Sequence, residues 1–348
     1  MTNTPRSQTA NRFANKWLFL AVLLLILAAA DVCLGQLTIS LDRVWDALVH
    51  PADQGTTHYI IRSFRVPKAL MAIAVGAGIS LSGLYMQTLF RNPLAGPYVL
   101  GVTSGSGLMV ALVMMGAAFL PVYGQQLIHH PLGIAVVSMA GSLAVLFAIF
   151  AMARQVTDNS SLLLIGLMFS SLCAAFITVL SYFSTADDLQ RFTYWGLGNL
   201  GQAPPLALAL VWLSTVLGLL AGVWMAKRMN TLWLGDGYAQ SMGVSLGFIR
   251  RVLLAATGLM TGVITAFVGP IAFVGMAVPI LVKLWFKTPS HLVLIGATAL
   301  TGACVLVGCD VIAQCPGLSF TLPINAVTSL IGAPFVIVVL YRKKKWLG

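Results

Sequence analysis

The sequence predicts an all-α fold, a polytopic membrane protein with about ten transmembrane helices, on three observations. Of 348 residues, 59% are hydrophobic and 8% charged, with a mean hydropathy of +0.92, so charges are too few to cover a soluble globule. Apolar runs of about 20 residues recur between charged or Gly/Pro-rich breaks, the length a helix needs to cross a ~30 Å hydrocarbon core while satisfying its own backbone. The alternating segments of about ten residues that a membrane β-barrel requires do not occur.

The segments follow in order. Segment 17–35 has no Ala-x-Ala cleavage site before Gln36, which predicts a retained span rather than a signal peptide. Segment 66–88 is headed by Arg65 and Lys68 and carries Gly76, Gly78 and Gly83; segment 94–118 follows an Asn92-Pro93 turn and carries Gly101, Gly105 and Gly107. Such glycines weaken a helix in water by about 1 kcal/mol each relative to Ala, but in a bilayer they let helix backbones approach closely. Segments 131–152, 161–183 and 204–226 are long apolar runs, and 249–268 opens with Arg250 and Arg251. The eighth, 271–286, is short, interrupted by Gly269, Pro270 and Gly275, and bracketed by Pro279 and Pro289. Broken helices are tolerated at membrane depth beside protein or an aqueous cavity, so this segment is expected to border a pathway. Segments 291–309 and 322–341 complete the set. The expected organisation is a tail, 1–16, a single transmembrane domain, 17–341, with a polar loop at 227–248, and a basic tail, 342–348; the other polar stretches, 36–64 and 184–203, are expected to be loops.

With the N-terminus in the cytoplasm, fifteen of the twenty Lys and Arg residues lie inside, leaving Arg43, Arg62, Arg65, Lys68 and Arg191 outside. This is the positive-inside pattern, and it predicts cytoplasmic termini in a plasma (bacterial inner) membrane. The net charge of +11 then reads as a topology signal plus attraction to anionic lipid, not as a nucleic-acid surface.

Catalytic chemistry is scarce. There is no Gly-Lys dipeptide, hence no P-loop, no glutamate anywhere, and no His-Glu-x-x-His. No catalytic residue, cofactor or metal is predicted, and the chain is not expected to be an enzyme. Cys33, Cys173, Cys304, Cys309 and Cys315 read as small buried hydrophobes without metal-site spacing. His129-His130 falls in an expected external loop, as a solvated turn before Pro131 or a haem or metal contact. All five histidines fall outside the spans or at their ends, which weakens direct haem ligation. Asp31 and Asp310 lie near span ends and the span middles lack acids, which argues against an ion-coupled carrier.

The stretch from Arg65 to Gly101 orders Arg65-x-Pro67-Lys68, then Gly76-Ala77, Ser82-Gly83 and Gln87, then Arg91-Asn92-Pro93-Leu94-Ala95 and Leu100-Gly101. Further on stand Leu234-Gly235-Asp236, Ala239 and Met242-Gly243-Val244, then Phe267-Val268-Gly269-Pro270-Ile271, Phe273-Val274-Gly275, Val278-Pro279, and Gly332-Ala333-Pro334. Together these resemble the FecCD family, the permease half of ATP-driven importers for iron-siderophores, haem and corrinoids, over residues 60 to 340. Four positions depart from that pattern: Ile280, Gln314, Thr321 and Asn325.

The resemblance implies a type II ABC importer permease that pairs with a second copy of itself, with ATP-binding-cassette ATPase subunits inside and an extracytoplasmic substrate-binding protein outside. It implies a cytoplasmic gate from Asn92, Leu94, Asn159 and Ser160, where the bare reading is a turn between spans. It implies an ATPase-coupling helix from Leu234, Gly235, Asp236, Ala239 and Gly243, with Asp236 capping its start and Gly243 giving a left-handed exit; the plain alternative is a surface loop. Arg65, Lys68 and, in place of the position now held by Gln314, Arg62 would dock the binding protein, against simple snorkelling of basic side chains. The expected cargo is an iron-siderophore or related metal chelate; the alternatives are a corrinoid (vitamin B12) or haem, and last an ion-coupled secondary carrier.

Overall fold

The computed structural model describes residues 5–35, 37–50, 55–116, 131–153, 155–156, 159–201, 204–232, 235–318 and 320–344. Among them the regular structure is helical: α1 (Pro5–Cys33), α2 (Leu41–Val49), α3 (Thr56–Ile60) with a π-helical turn (Ile61–Arg65), α4 (Val66–Leu89), a 3-10 turn (Pro97–Leu100), α5 (Val102–Met115), α6 (Pro131–Ala153), α7 (Asn159–Phe183), α8 (Ala186–Gly196), α9 (Pro205–Leu232), α10 (Asp236–Ser241), α11 (Leu246–Val268), α12 (Val274–Phe286), α13 (His291–Ala313) and α14 (Ile324–Lys344). Seven described helices are long and apolar enough to cross a membrane, and three shorter apolar ones, Val102–Met115, Val274–Phe286 and Ile324–Val339, fall on the remaining expected spans.

The bounds differ from expectation in physically simple ways. Helix α1 begins at Pro5, so much of the expected N-terminal tail is helix, since nothing between Pro5 and Trp17 breaks one. Expected loops 36–64 and 184–203 hold the short helices α2, α3 and α8, whose polar faces hid them from a search for apolar runs. Expected span 94–118 shortens to α5 because Gly101, at φ 70°, separates it from the 3-10 turn. The eighth span is interrupted at Gly269 and Pro270 as expected, but Gly275 and Pro279 lie inside α12; Gly269 at φ 83° ends α11 and Phe273 at φ 64° starts α12.

Helix α4 is the axis of the bundle, packed by α9, α11, α12 and α13, and its residues from Leu84 to Leu89 are all buried. Glycine makes this packing possible: a Cβ on Gly83 would land on the Gly275 carbonyl of α12, and one on Gly76 on the Gly302 carbonyl of α13. The Tyr85 hydroxyl, fully buried, donates to the Gly218 carbonyl of α9 at 2.8 Å. Helix α1 packs on α13, while α5 packs against α6, α7 and α8. Helix α7 turns Leu164, Met168, Leu172, Phe176 and Val179 outward, an apolar stripe facing away from its own bundle.

Candidate functional site

One end of the bundle carries the gate and coupling candidates. After α4, Arg91 takes φ 48°, and the Asn92 side chain accepts the Leu94 N–H at 2.9 Å, closing an Asx turn that leaves Leu94 exposed. Ser160 is exposed in the first turn of α7, and the Asn159 side chain lies outside the described residues. The same end holds α10. Gly235, at φ 105° and ψ 155°, is its N-cap, a backbone region closed to other residues. Asp236 is the first helical residue and not the cap, a correction that follows from Gly235 holding the non-helical geometry; the Asp236 side chain and all of Leu234 lie outside the described residues. The helix leaves through a Schellman motif: Gly243 at φ 77° donates to the Gln240 carbonyl at 2.9 Å and Val244 donates to the Ala239 carbonyl at 3.0 Å. Ala239 is fully buried, whereas Tyr238 and Met242 point outward, 53% and 56% exposed. Motif matching took in Met242 but missed Tyr238, although a spacing of four brings the two side by side.

The other end gathers the expected docking cations around buried acids. Lys68 Nζ pairs with Asp310 Oδ2 at 2.8 Å, and Asp310 is 2% exposed. Gln314 Nε2 donates to Asp31 Oδ1 at 2.5 Å and reaches Asp310 Oδ2 at 3.4 Å. Arg65 donates to the carbonyls of Val32 at 2.7 Å, Cys33 at 2.9 Å and Leu37, tying α1 to α4. Arg62 donates to the Ala47 carbonyl at 2.5 Å. All three cations therefore hold internal partners, and Gln314 is absorbed into the acid cluster. Arg65, Lys68, Asp310 and Gln314 border a cleft of about 840 Å³ together with Tyr194 and Asn199.

Between the ends, the break at 269–273 is stitched by Asn325. Its Oδ1 accepts the Ala272 N–H at 3.0 Å and its Nδ2 donates to the Gly196 carbonyl at 3.3 Å, while Asn199 N–H donates to the Val268 carbonyl at 2.8 Å. These bonds satisfy backbone groups that a helix break would otherwise strand in a medium without water. No described group of His, Cys, Asp and Glu has metal-site geometry. The His129-His130 pair lies outside the described residues. Cys173, Cys304 and Cys309 are buried and Cys33 and Cys315 half-buried, all unpaired.

Comparison with known proteins places this arrangement. The model of the FecCD transport family matches residues 22–342. The chain belongs to the FecCD transport family. This FecCD protein is 34% identical over 332 residues to the hemin transport system permease protein HmuU of Yersinia pestis, covering 94% of this chain and 95% of that one. It is 35% identical over 339 residues to the vitamin B12 import system permease protein BtuC of Escherichia coli, covering 94% and 95%. Its fold is similar to a solved structure described as an inward-facing conformation of a metal-chelate type ABC transporter, with TM-score 0.79 and 26% identity over 93% of this chain and 98% of that chain. The FecCD chain is thus an ABC importer permease with a multi-pass helical membrane fold.

Proposed function

We propose that this FecCD protein forms a homodimeric translocation path in the bacterial inner membrane, both termini cytoplasmic, and carries an iron-siderophore or related metal chelate inward by alternating access. The observation that carries the reading is α10, a helix held between two glycines in backbone geometries other residues resist, offering Tyr238 and Met242 outward. A short rigid helix with an aromatic and a thioether on its free face suits a groove on an ATPase subunit, which would supply all ATP hydrolysis. Leu94 and Ser160 from two copies would constrict the cytoplasmic mouth. The outward stripe of α7 supplies an apolar face for the second copy. A substrate-binding protein would meet the opposite end at the cleft bordered by Arg65 and Lys68.

The metal-chelate description of the structural neighbour supports the cargo class. A second reading, haem or cobalamin, draws on the names of the two relatives. The test is uptake by vesicles holding the permease, its ATPase and its binding protein, offered a labelled ferric siderophore, cobalamin and haem separately. ATP-dependent accumulation of the siderophore is expected; accumulation of cobalamin or haem alone would transfer the assignment to the second reading, and no ATP-dependent uptake would overturn both.

A further inference from the structure

His291 is the first residue of α13 and has no exposed surface. It sits where three helices end. Its backbone N–H donates to Asn230 Oδ1 at 2.9 Å, so a side chain from α9 caps the start of α13 and satisfies one of that helix's orphan donors. The imidazole Nδ1 lies on the same oxygen at 2.8 Å. On the opposite side of the ring, Nε2 lies 3.2 Å from Thr88 Oγ1 on α4. The ring therefore lies between Asn230 and Thr88: a neutral imidazole donates Nδ1–H to Asn230 Oδ1 and accepts the Thr88 hydroxyl proton at Nε2, a proton for which the Leu84 carbonyl at 2.8 Å competes.

Both partners stand next to elements of the proposed machinery. Asn230 is five residues before Gly235, and Gly235 N–H donates to the Leu232 carbonyl, so α10 hangs directly from the end of α9 that carries Asn230. Thr88 is three residues before Arg91, where the Asx turn bearing Leu94 begins. The neighbouring residue Gln87 is held separately, accepting from Lys283 Nζ at 2.9 Å and donating to the Met276 carbonyl at 3.0 Å. That second grip anchors α4 to α12. Thr88 adds, near the end of α4, a polar link to α9 through His291, beside the direct α4–α9 packing that includes the Tyr85–Gly218 bond.

We propose that His291 is a positioning residue that joins the ATPase-docking helix to the inner gate, passing displacement of α9 through Asn230 and the imidazole to Thr88 and the Asn92–Leu94 turn. The inference rests on the assignment of α10 to ATPase docking and of Leu94 and Ser160 to the gate. In a close-packed interior such short buried contacts are not readily compressed, so a shift of α9 is handed on to Thr88 and not absorbed on the way.

The experiment uses the assembled permease–ATPase complex in vesicles and reads ATP hydrolysis together with crosslinking between Leu94→Cys and Ser160→Cys, a readout that needs no knowledge of the cargo. The background carries His291→Ala, Thr88→Val, or His291→Asn, which can reach Asn230 but not Thr88. Hydrolysis is expected to persist in all three, while the nucleotide-dependent change in crosslinking falls by about two- to thirtyfold, the span that 0.5–2 kcal/mol of lost coupling represents. A wild-type crosslinking response in Thr88→Val would overturn the proposal, and that variant removes a single hydroxyl, so it serves where His291→Ala does not assemble. A parallel loss of hydrolysis, crosslinking and thermal stability would also overturn it, because His291 would then be merely structural. If the unmodified gate pair ignores nucleotide, the gate assignment itself fails, a result distinct from either of these.

Discussion

Charge at the end of the bundle that holds Lys68 is decided by single side chains. Lys68 neutralises Asp310 at 2.8 Å in a site where Asp310 is almost fully buried. Removing one partner of a buried pair strands the other, so Lys68→Met should cost about 3 kcal/mol, read as a lowered thermal midpoint in detergent. The swapped pair Lys68→Glu with Asp310→Lys should recover much of it; an additive double variant would dismiss the pairing. Charge reversal at Lys68 alone therefore cannot report on binding-protein docking, since it sets a third carboxylate beside Asp31 and Asp310. Asn325 makes a second case. It serves two backbone groups at a helix break, and Asn325→Leu should cost about 1–3 kcal/mol through the unpaired Ala272 N–H, measured by the same melting experiment. Sequence reading flagged Gln314 and Asn325 as departures from the family pattern. What they touch was out of reach, because their partners lie 283 and 53 residues away in the chain.

At the scale of elements, glycine did much of what the motifs announced. Gly235 and Gly243 hold backbone angles that L side chains rarely adopt, and neither has a neighbouring atom that a Cβ would strike. Replacement at either site should act through backbone strain alone, about 1–2 kcal/mol per position. Gly243→Val is expected to leave membrane insertion and melting nearly unchanged while ATP-dependent uptake collapses; uptake at the normal rate would place ATPase docking elsewhere. The long helices were legible because a bilayer demands a long apolar run. The short ones, α2, α3 and α8, were not, since amphipathic helices of five to eleven residues leave no such run. The break at 269–273 was anticipated from Gly269 and Pro270, whereas Phe273 at φ 64° was not, because an aromatic residue gives no local sign of a left-handed turn.

For the whole molecule, the expected motion is an opening and closing at the end that bears α10. In a background with the five native cysteines replaced, Leu94→Cys and Ser160→Cys should crosslink between the two copies to an extent set by nucleotide, measured on non-reducing gels; crosslinking indifferent to nucleotide would remove the gate assignment. Helix α4 fixes how far such motion can travel. It is tied to α13 at one end by Lys68 and Asp310, at the other by Thr88 and His291, and in the middle by the Gly76–Gly302 backbone contact. The pair then works as a pushrod of constant length, about 36 Å for the 24 residues of α4. A push at one membrane face would arrive at the other undiminished, with no slack taken up between the two helices. Spin labels on α4 and α13 would accordingly keep their separation through the ATP cycle while both shift against α14.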